Sequence, residues 1–143
     1  MLFRSNNSWG CVSLDDYRVD GSYSWKPNDS TNCTFAYTIT STNISSYMST
    51  GYLSFYLYAI DSSKVGDVVY VELTSGGQWD TEEITCDVKP YINDDGWIHV
   101  KIPLSNFYAS GTGTFDATRL NFFRLYTLNT TTDLYLDDIR LVK

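Results

Sequence analysis

Positive charge is scarce in this chain of 143 residues: ten lysines and arginines face 17 aspartates and glutamates, for a formal net charge of −7. A nucleic-acid binder needs a basic footprint to release counterions, and none is visible. Anionic membranes and acidic polymers are disfavoured as main partners on the same ground, although a local basic spot is compatible with the total. No apolar run approaches the ~20 residues of a membrane-spanning helix. The opening stretch MLFRSNNSWG lacks the apolar centre of a signal peptide, and the chain is expected to be a piece of a longer protein. The three cysteines, Cys11, Cys33 and Cys86, form no CxxC pair, which argues against a structural zinc site. Their odd number leaves at least one thiol outside any internal bridge. Cys33 and Cys86 lie in strand-like patterns and read as small buried thiols, and a Cys11–Cys33 disulfide stays open. No long helical pattern, internal repeat or low-complexity linker is present.

Tyrosine, by contrast, is abundant, at 12 residues against seven Phe and four Trp. An apolar ring with a polar tip suits half-wet surfaces. Period-two segments bounded by Gly, Asn, Asp and Ser recur along the chain. They predict strands over 23–26, 33–40, 52–60, 67–74, 81–88, 97–103, 119–128 and 133–142, with a further strand near 11–19. Residues 43–51 and 103–111 are each expected to hold one helical turn. Eight or nine strands within a single domain, residues 1–143, predict an all-β fold: a β-sandwich of two antiparallel sheets.

Alternation assigns faces. Leu53, Phe55 and Leu57 form a core face, as do Val69, Val71 and Leu73, then Ile98, Val100 and Ile102, then Phe123 and Leu125. The opposite faces carry Tyr52, Tyr56 and Tyr58; Tyr70 and Glu72; and Phe122, Arg124 and Tyr126. If these strands share a sheet, a long groove of aromatic rings with polar tips results. A pyranose has an apolar face of C–H groups, on which aromatic rings stack, and an equator of hydroxyls, which Arg, Glu, Asn and Tyr bind. Each stacked ring contributes on the order of 1–2 kcal/mol by area. Tyrosine is also a favoured strand residue, and cross-strand aromatic pairs stabilise sheets without any ligand.

Four stretches taken together carry a resemblance: DGSYSWK (20–26), VVYVELTSGGQWDTEEI (68–84), DGWIHVKIPLSNF (95–107) and TRLNFFRLYTLNTTTDLYLDDIRLVK (118–143). This order resembles the β-jelly-roll, galactose-binding-like carbohydrate-binding modules of bacterial polysaccharide-degrading enzymes. It is most similar to xylan-binding modules (families 22 and 86) of gut Firmicutes xylanases. The resemblance implies a non-catalytic module that binds internal stretches of a linear polysaccharide. The implied contacts are Tyr56, Tyr58, Tyr70, Glu72, Arg124 and Tyr126, with Trp79 as a platform in the SGGQWD loop. It further implies β-1,4-xylan or arabinoxylan as ligand, with β-glucan as the alternative, a covalently linked glycoside hydrolase domain and an extracellular or cell-surface location. A structural calcium is implied too, held by Asp138 with Asp20 and the Gly21 carbonyl, since hard oxygens suit that ion. The acidic D-F-E start of such modules is missing, and Asp15 and Asp16 are the available substitutes. Leu134 and Leu136 share a phase that Ile139 and Leu141 do not, which predicts a bulge at Asp137–Asp138. Trp25 and Trp97 are expected to pack.

The residues give catalysis little to work with. A glycoside hydrolase needs two carboxyl groups facing across a cleft, and Glu72 is the one carboxylate that alternation puts cleanly on the tyrosine face. Glu82–Glu83 and Asp94–Asp95 read as solvated edge and turn charges. A lyase built on Tyr126 and Arg124 survives on geometry, but the net charge repels an acidic polymer. His99 is the only histidine, and nothing in WIHVK resembles a nucleophile elbow. A structural or adhesive sandwich that binds protein is the competing class.

Overall fold

A computed structural model describes residues 11–15, 24–27 and 34–143, with side chains from residue 34 onward. Its strands are β1 (Cys11–Asp15), β2 (Ser24–Pro27), β3 (Thr34–Thr42), β4 (Tyr52–Ala59) and β5 (Val68–Thr74). β6 (Glu83–Asp87), β7 (Gly96–Pro103), β8 (Tyr108–Ser110), β9 (Leu120–Leu128) and β10 (Leu134–Val142) complete the set. They form two five-stranded sheets, ordered β1-β2-β10-β4-β7 and β3-β9-β5-β6-β8. Every pairing of named strands is antiparallel. The expected all-β sandwich is therefore the fold. Among the described residues the helical pieces are short 3-10 turns, such as Ser45–Tyr47 and Leu104–Asn106, and no helix is long and apolar enough to cross a membrane.

The alternating residues do what their period requires. Leu53, Phe55 and Leu57 of one sheet meet Val69, Val71, Leu73, Phe123 and Leu125 of the other in a shared buried core. Removing each such side chain from water stabilises the fold by about 1.5–3 kcal/mol. Cys86 is a buried free thiol in this core, and burial pushes its pKa up. Cys33 lies outside the described residues, as do Asp16, Asp20, Gly21 and Tyr23; the side chains of Cys11, Asp15 and Trp25 are likewise not described.

The bulge falls where the hydrophobic phase slips. The register of β10 against β4 shifts between Asp137 and Arg140, and Asp138 takes a left-handed φ of 51°. Leu134, Leu136 and Leu141 thereby all stand opposite core residues of β4, namely Ala59, Leu57 and Leu53.

Strand order corrects the single groove. β5 and β9 are neighbours in the second sheet, but β4 lies in the first, between β10 and β7. Tyr56 and Tyr58 therefore do not share a sheet with Tyr70, Glu72, Arg124 and Tyr126. They project from the outer face of the opposite layer, because the inner face of β4 is the one that carries Leu53, Phe55 and Leu57 of the shared core. There Tyr56 stacks on His99, with ring centroids 4.5 Å apart, and Tyr58 meets Trp97 and Tyr135 edge-on. Cross-strand register explains these pairs, since Tyr56 stands opposite His99 and Tyr58 opposite Trp97 and Tyr135.

Candidate functional site

The outer face of the second sheet is a grid set by register. Tyr126 on β9 stands opposite Tyr70 on β5, Arg124 opposite Glu72, and Phe122 opposite Thr74. On the far side of β5, Glu72 faces Thr85 of β6, and Thr85 faces Tyr108 of β8. Tyr70 and Tyr126 meet edge-to-face, with centroids 5.7 Å apart at 87°. Tyr108, 52% exposed, is the most open aromatic of this face.

Arg124 organises the centre. Its guanidinium carbon lies 4.5 Å from the centre of the Tyr126 ring and 5.6 Å from that of Trp79. Both distances are within cation–π reach. Its Nε donates to Glu72 Oε2, and its Nη2 lies 3.4 Å from Asp80 Oδ1. Trp79, in the β5–β6 loop, is 38% exposed, with its centroid 6.1 Å from that of Phe122. Tyr126, Arg124 and Trp79 thus form one run of flat groups, with Tyr70 beside one end and Phe122 beside the other.

Glu72 is only 2% exposed. Burial pushes its pKa up to about 7, further than the Arg124 hydrogen bond and charge pull it down; Glu83 and Asp80 add to the rise. Tyr126 is pushed up to about 12, first by burial and then by the Glu72 charge. A carboxyl whose folded pKa is raised contributes stability that is complete below its unfolded value of 4.5 and is lost as pH climbs through about 7. Glu72→Gln is therefore expected to flatten the pH profile of Tm between those values. An identical slope in the two proteins would assign the titration to another group.

Glu83 corrects the reading of an edge charge. It is 2% exposed. Its carboxylate accepts from the Asp80 backbone N–H at 3.0 Å and from Ser110 Oγ at 2.9 Å. Glu82 pairs with Arg119, and Asp95 accepts from the Ser62 backbone N–H. Trp97 is half-buried, and His99 is exposed on the edge strand β7 with its Nε2 2.8 Å from Ser54 Oγ.

Of the candidate contacts, the fold brings together Tyr70, Glu72, Trp79, Arg124 and Tyr126 and leaves Tyr56 and Tyr58 on the other sheet. Sequence reasoning missed Tyr108 and Asp80. Tyr108 follows a turn in a three-residue strand too short to alternate, and Asp80 lies in a loop where no period applies.

Of the three residues implied for calcium, Asp138 alone is described. The Asp138 carboxylate accepts from Arg140 Nε, so an ion there would compete with a guanidinium. Asp20 and Gly21 lie outside the described residues, and among the described residues no group of three or more His, Cys, Asp or Glu side chains comes together to hold a metal.

The sequence pattern of the family described as carbohydrate binding domain 30 matches residues 5–143. No curated protein matches the chain. Among solved structures, the family 30 carbohydrate-binding module of a cellulosomal cellulase of Clostridium thermocellum is similar, with a TM-score of 0.68 and 19% identity over 99% of this chain and 86% of that one. The family 11 module from the same organism, in complex with a β-1,3-1,4-mixed-linked tetrasaccharide, gives a TM-score of 0.65 and 14% identity over 95% of this chain and 87% of that one. A β-1,2-glucanase from Parabacteroides distasonis gives 0.61 and 16% identity over 99% of this chain but only 21% of that one. At these identities the likenesses establish the sandwich alone; the family match over residues 5–143 is to family 30, not to the expected families 22 and 86.

Proposed function

This chain belongs to the carbohydrate binding domain 30 family, and we propose that it holds a neutral β-glucan chain on the outer face of the β3-β9-β5-β6-β8 sheet. The observation that carries the reading is the continuous run of Tyr126, Arg124 and Trp79, with Tyr70 beside it and Tyr108 exposed on the same face two strands beyond β5. Rings presented across three strands and a loop match successive sugars of an extended chain. Arg124, Asp80 and the tyrosine hydroxyls supply partners for its hydroxyl groups. Two or three stacked rings, less the cost of ordering the ligand, give binding of roughly micromolar to millimolar strength.

A β-glucan is favoured because the similar family 11 module is in complex with a β-1,3-1,4-mixed-linked tetrasaccharide, and the similar family 30 module comes from a cellulase. Xylan, a slim, twisted chain without the C6 group, suits a tyrosine-rich groove, but Tyr56 and Tyr58 of that groove lie on the other sheet. Affinity electrophoresis tests the reading with mixed-linkage β-glucan, soluble cellulose derivative, xylan and a uronate-bearing polymer in separate gels. Retardation by the glucans is expected. Retardation by xylan alone would change the ligand, and migration unaffected by every neutral glycan would end the proposal in favour of a protein-binding sandwich.

The glucanase that holds a similar fold within about a fifth of its length supports a tethered role. Linked to a catalytic domain outside the cell, the module would raise that domain's effective concentration at its polymer. A calcium ion at Asp138 is a separate proposal, carried by resemblance. Chelator is expected to lower Tm and added Ca2+ to restore it, and a Tm indifferent to both would leave Asp138 to Arg140 alone.

A further inference from the structure

Trp79 is the one member of the aromatic run that no strand positions. Residues 75–82, which carry it, contain two non-glycine residues with left-handed backbone, Asp80 at φ 63° and Glu82 at φ 44°. Left-handed backbone is unfavourable for an L-residue, so the loop keeps its shape only if its surroundings over-determine it.

Arg119, at the residue before β9, supplies that constraint. Its Nη1 donates to the Ser75 carbonyl at 3.2 Å, where the loop leaves β5, and its Nη2 donates to Glu82 Oε2, just before the chain enters β6. Its Nε donates to Asp116 Oδ2 at 3.1 Å, which fixes the plane of the guanidinium. One side chain therefore joins both stems of the loop to the segment that precedes β9. The stems are tied to each other by Ser75 N–H donating to the Glu82 carbonyl and Ser75 Oγ donating to Glu82 Oε2, each at 3.0 Å. Asp116 N–H closes the circuit by donating to Ser75 Oγ at 2.8 Å.

The loop is also pressed against residues 111–113. Thr112 N–H donates to the Asp80 carbonyl at 2.9 Å, and Glu82 N–H donates to the Thr112 carbonyl at 2.6 Å. A Cβ on Gly111 would come within 2.6 Å of the Asp80 carbonyl, so the two segments meet backbone to backbone. On the strand side, Asn121 Oδ1 accepts from Gly77 N–H and Asn121 Nδ2 donates to the Ser75 carbonyl.

We infer that Arg119, through Glu82 and Ser75, is a positioning residue that holds the Trp79 ring in its place over Arg124 before any glycan arrives. This rests on the reading of Trp79 as a sugar platform. Arg119 bonds the two stems of the loop, so its effect on the site passes through the loop that carries Trp79. A loop freed of this tie must be ordered on binding, which costs affinity rather than fold.

The experiment is a double-mutant cycle on binding to mixed-linkage β-glucan oligosaccharide, with the parent, Arg119→Met, Trp79→Ala and the double variant. Arg119→Met is expected to weaken binding about three- to tenfold, the cost of ordering one side chain only on binding. In the double variant binding should match Trp79→Ala alone, because a residue that acts through Trp79 has nothing left to position. The near-ultraviolet circular dichroism that the parent loses in Trp79→Phe should also fall in Arg119→Met and recover in part in Arg119→Lys. Independent, additive losses, or unchanged affinity in Arg119→Met beside a clear loss in Trp79→Ala, would overturn the inference. No loss in Trp79→Ala itself would instead overturn the platform reading on which it rests.

Discussion

Arg124→Ala will lower both the stability and the glycan affinity of this domain, and the stability loss will grow with pH. Arg124 and Glu72 are both largely buried, and Arg124 is the cation bonded to that carboxylate. Removing one partner of a buried pair costs about 3–5 kcal/mol, since the other charge stays behind in a poor dielectric. That corresponds to a Tm loss on the order of 10 °C for a domain of this size. Glu72 escapes part of the penalty by taking a proton. Its pKa already stands at about 7 through burial, and losing Arg124 moves it higher still. At pH 5 the variant folds around a neutral carboxyl; at pH 8 it must bury an anion or bind a proton against the solution. Adding Glu72→Gln removes the orphaned charge, so the double variant should recover most of the stability and lose the pH slope. It should not recover the glycan, because Tyr126 and Trp79 have lost the flat cation that lies against both rings. If Tm fell equally at the two pH values, the ion pair would not be the cause. If the double variant bound as the parent does, the guanidinium would have no part in the site.

Much of this arrangement was legible in the sequence, and what was not has identifiable causes. Alternation separated inner from outer residues in β4, β5, β7 and β9, since a strand has only two sides. The phase slip between Leu136 and Ile139 marks the bulge in the sequence itself. Alternation says nothing about which strands are neighbours. Tyr52–Ala59 and Val68–Thr74 carry similar patterns but lie in opposite layers, so the pattern alone cannot separate Tyr56 and Tyr58 from Tyr70 and Tyr126. The burial of Glu83 was illegible for a related reason. Its partner Ser110 is 27 residues away, and nothing local marks a carboxylate that a distant hydroxyl will satisfy. Arg119 is the same case, because a contact across 37 residues to Glu82 leaves no period in the chain.

Tyr126→Ala is expected to abolish retardation in β-glucan gels while Tyr56→Ala leaves it unchanged. The two tyrosines look alike in sequence: each sits mid-strand on a non-core face and is half-buried. Their neighbours differ. Tyr126 lies between Arg124 and Tyr70, in line with the exposed Trp79, so its removal interrupts the run and takes a stacking surface worth about 1–2 kcal/mol. For a ligand that begins at micromolar to millimolar strength, the corresponding loss of about five- to thirtyfold is enough to lose retention in a gel. Tyr56 stacks against His99 in the other layer, where its loss reduces cross-strand packing by a few tenths to about 1 kcal/mol and leaves the second sheet untouched. Tyr126→Phe separates ring from hydroxyl: near-parental retardation assigns the role to stacking, and a loss as deep as that of alanine assigns it to the phenol oxygen. Should Tyr56→Ala lose the glycan and Tyr126→Ala keep it, the binding surface would lie on the β1-β2-β10-β4-β7 sheet, and the proposed site would be wrong.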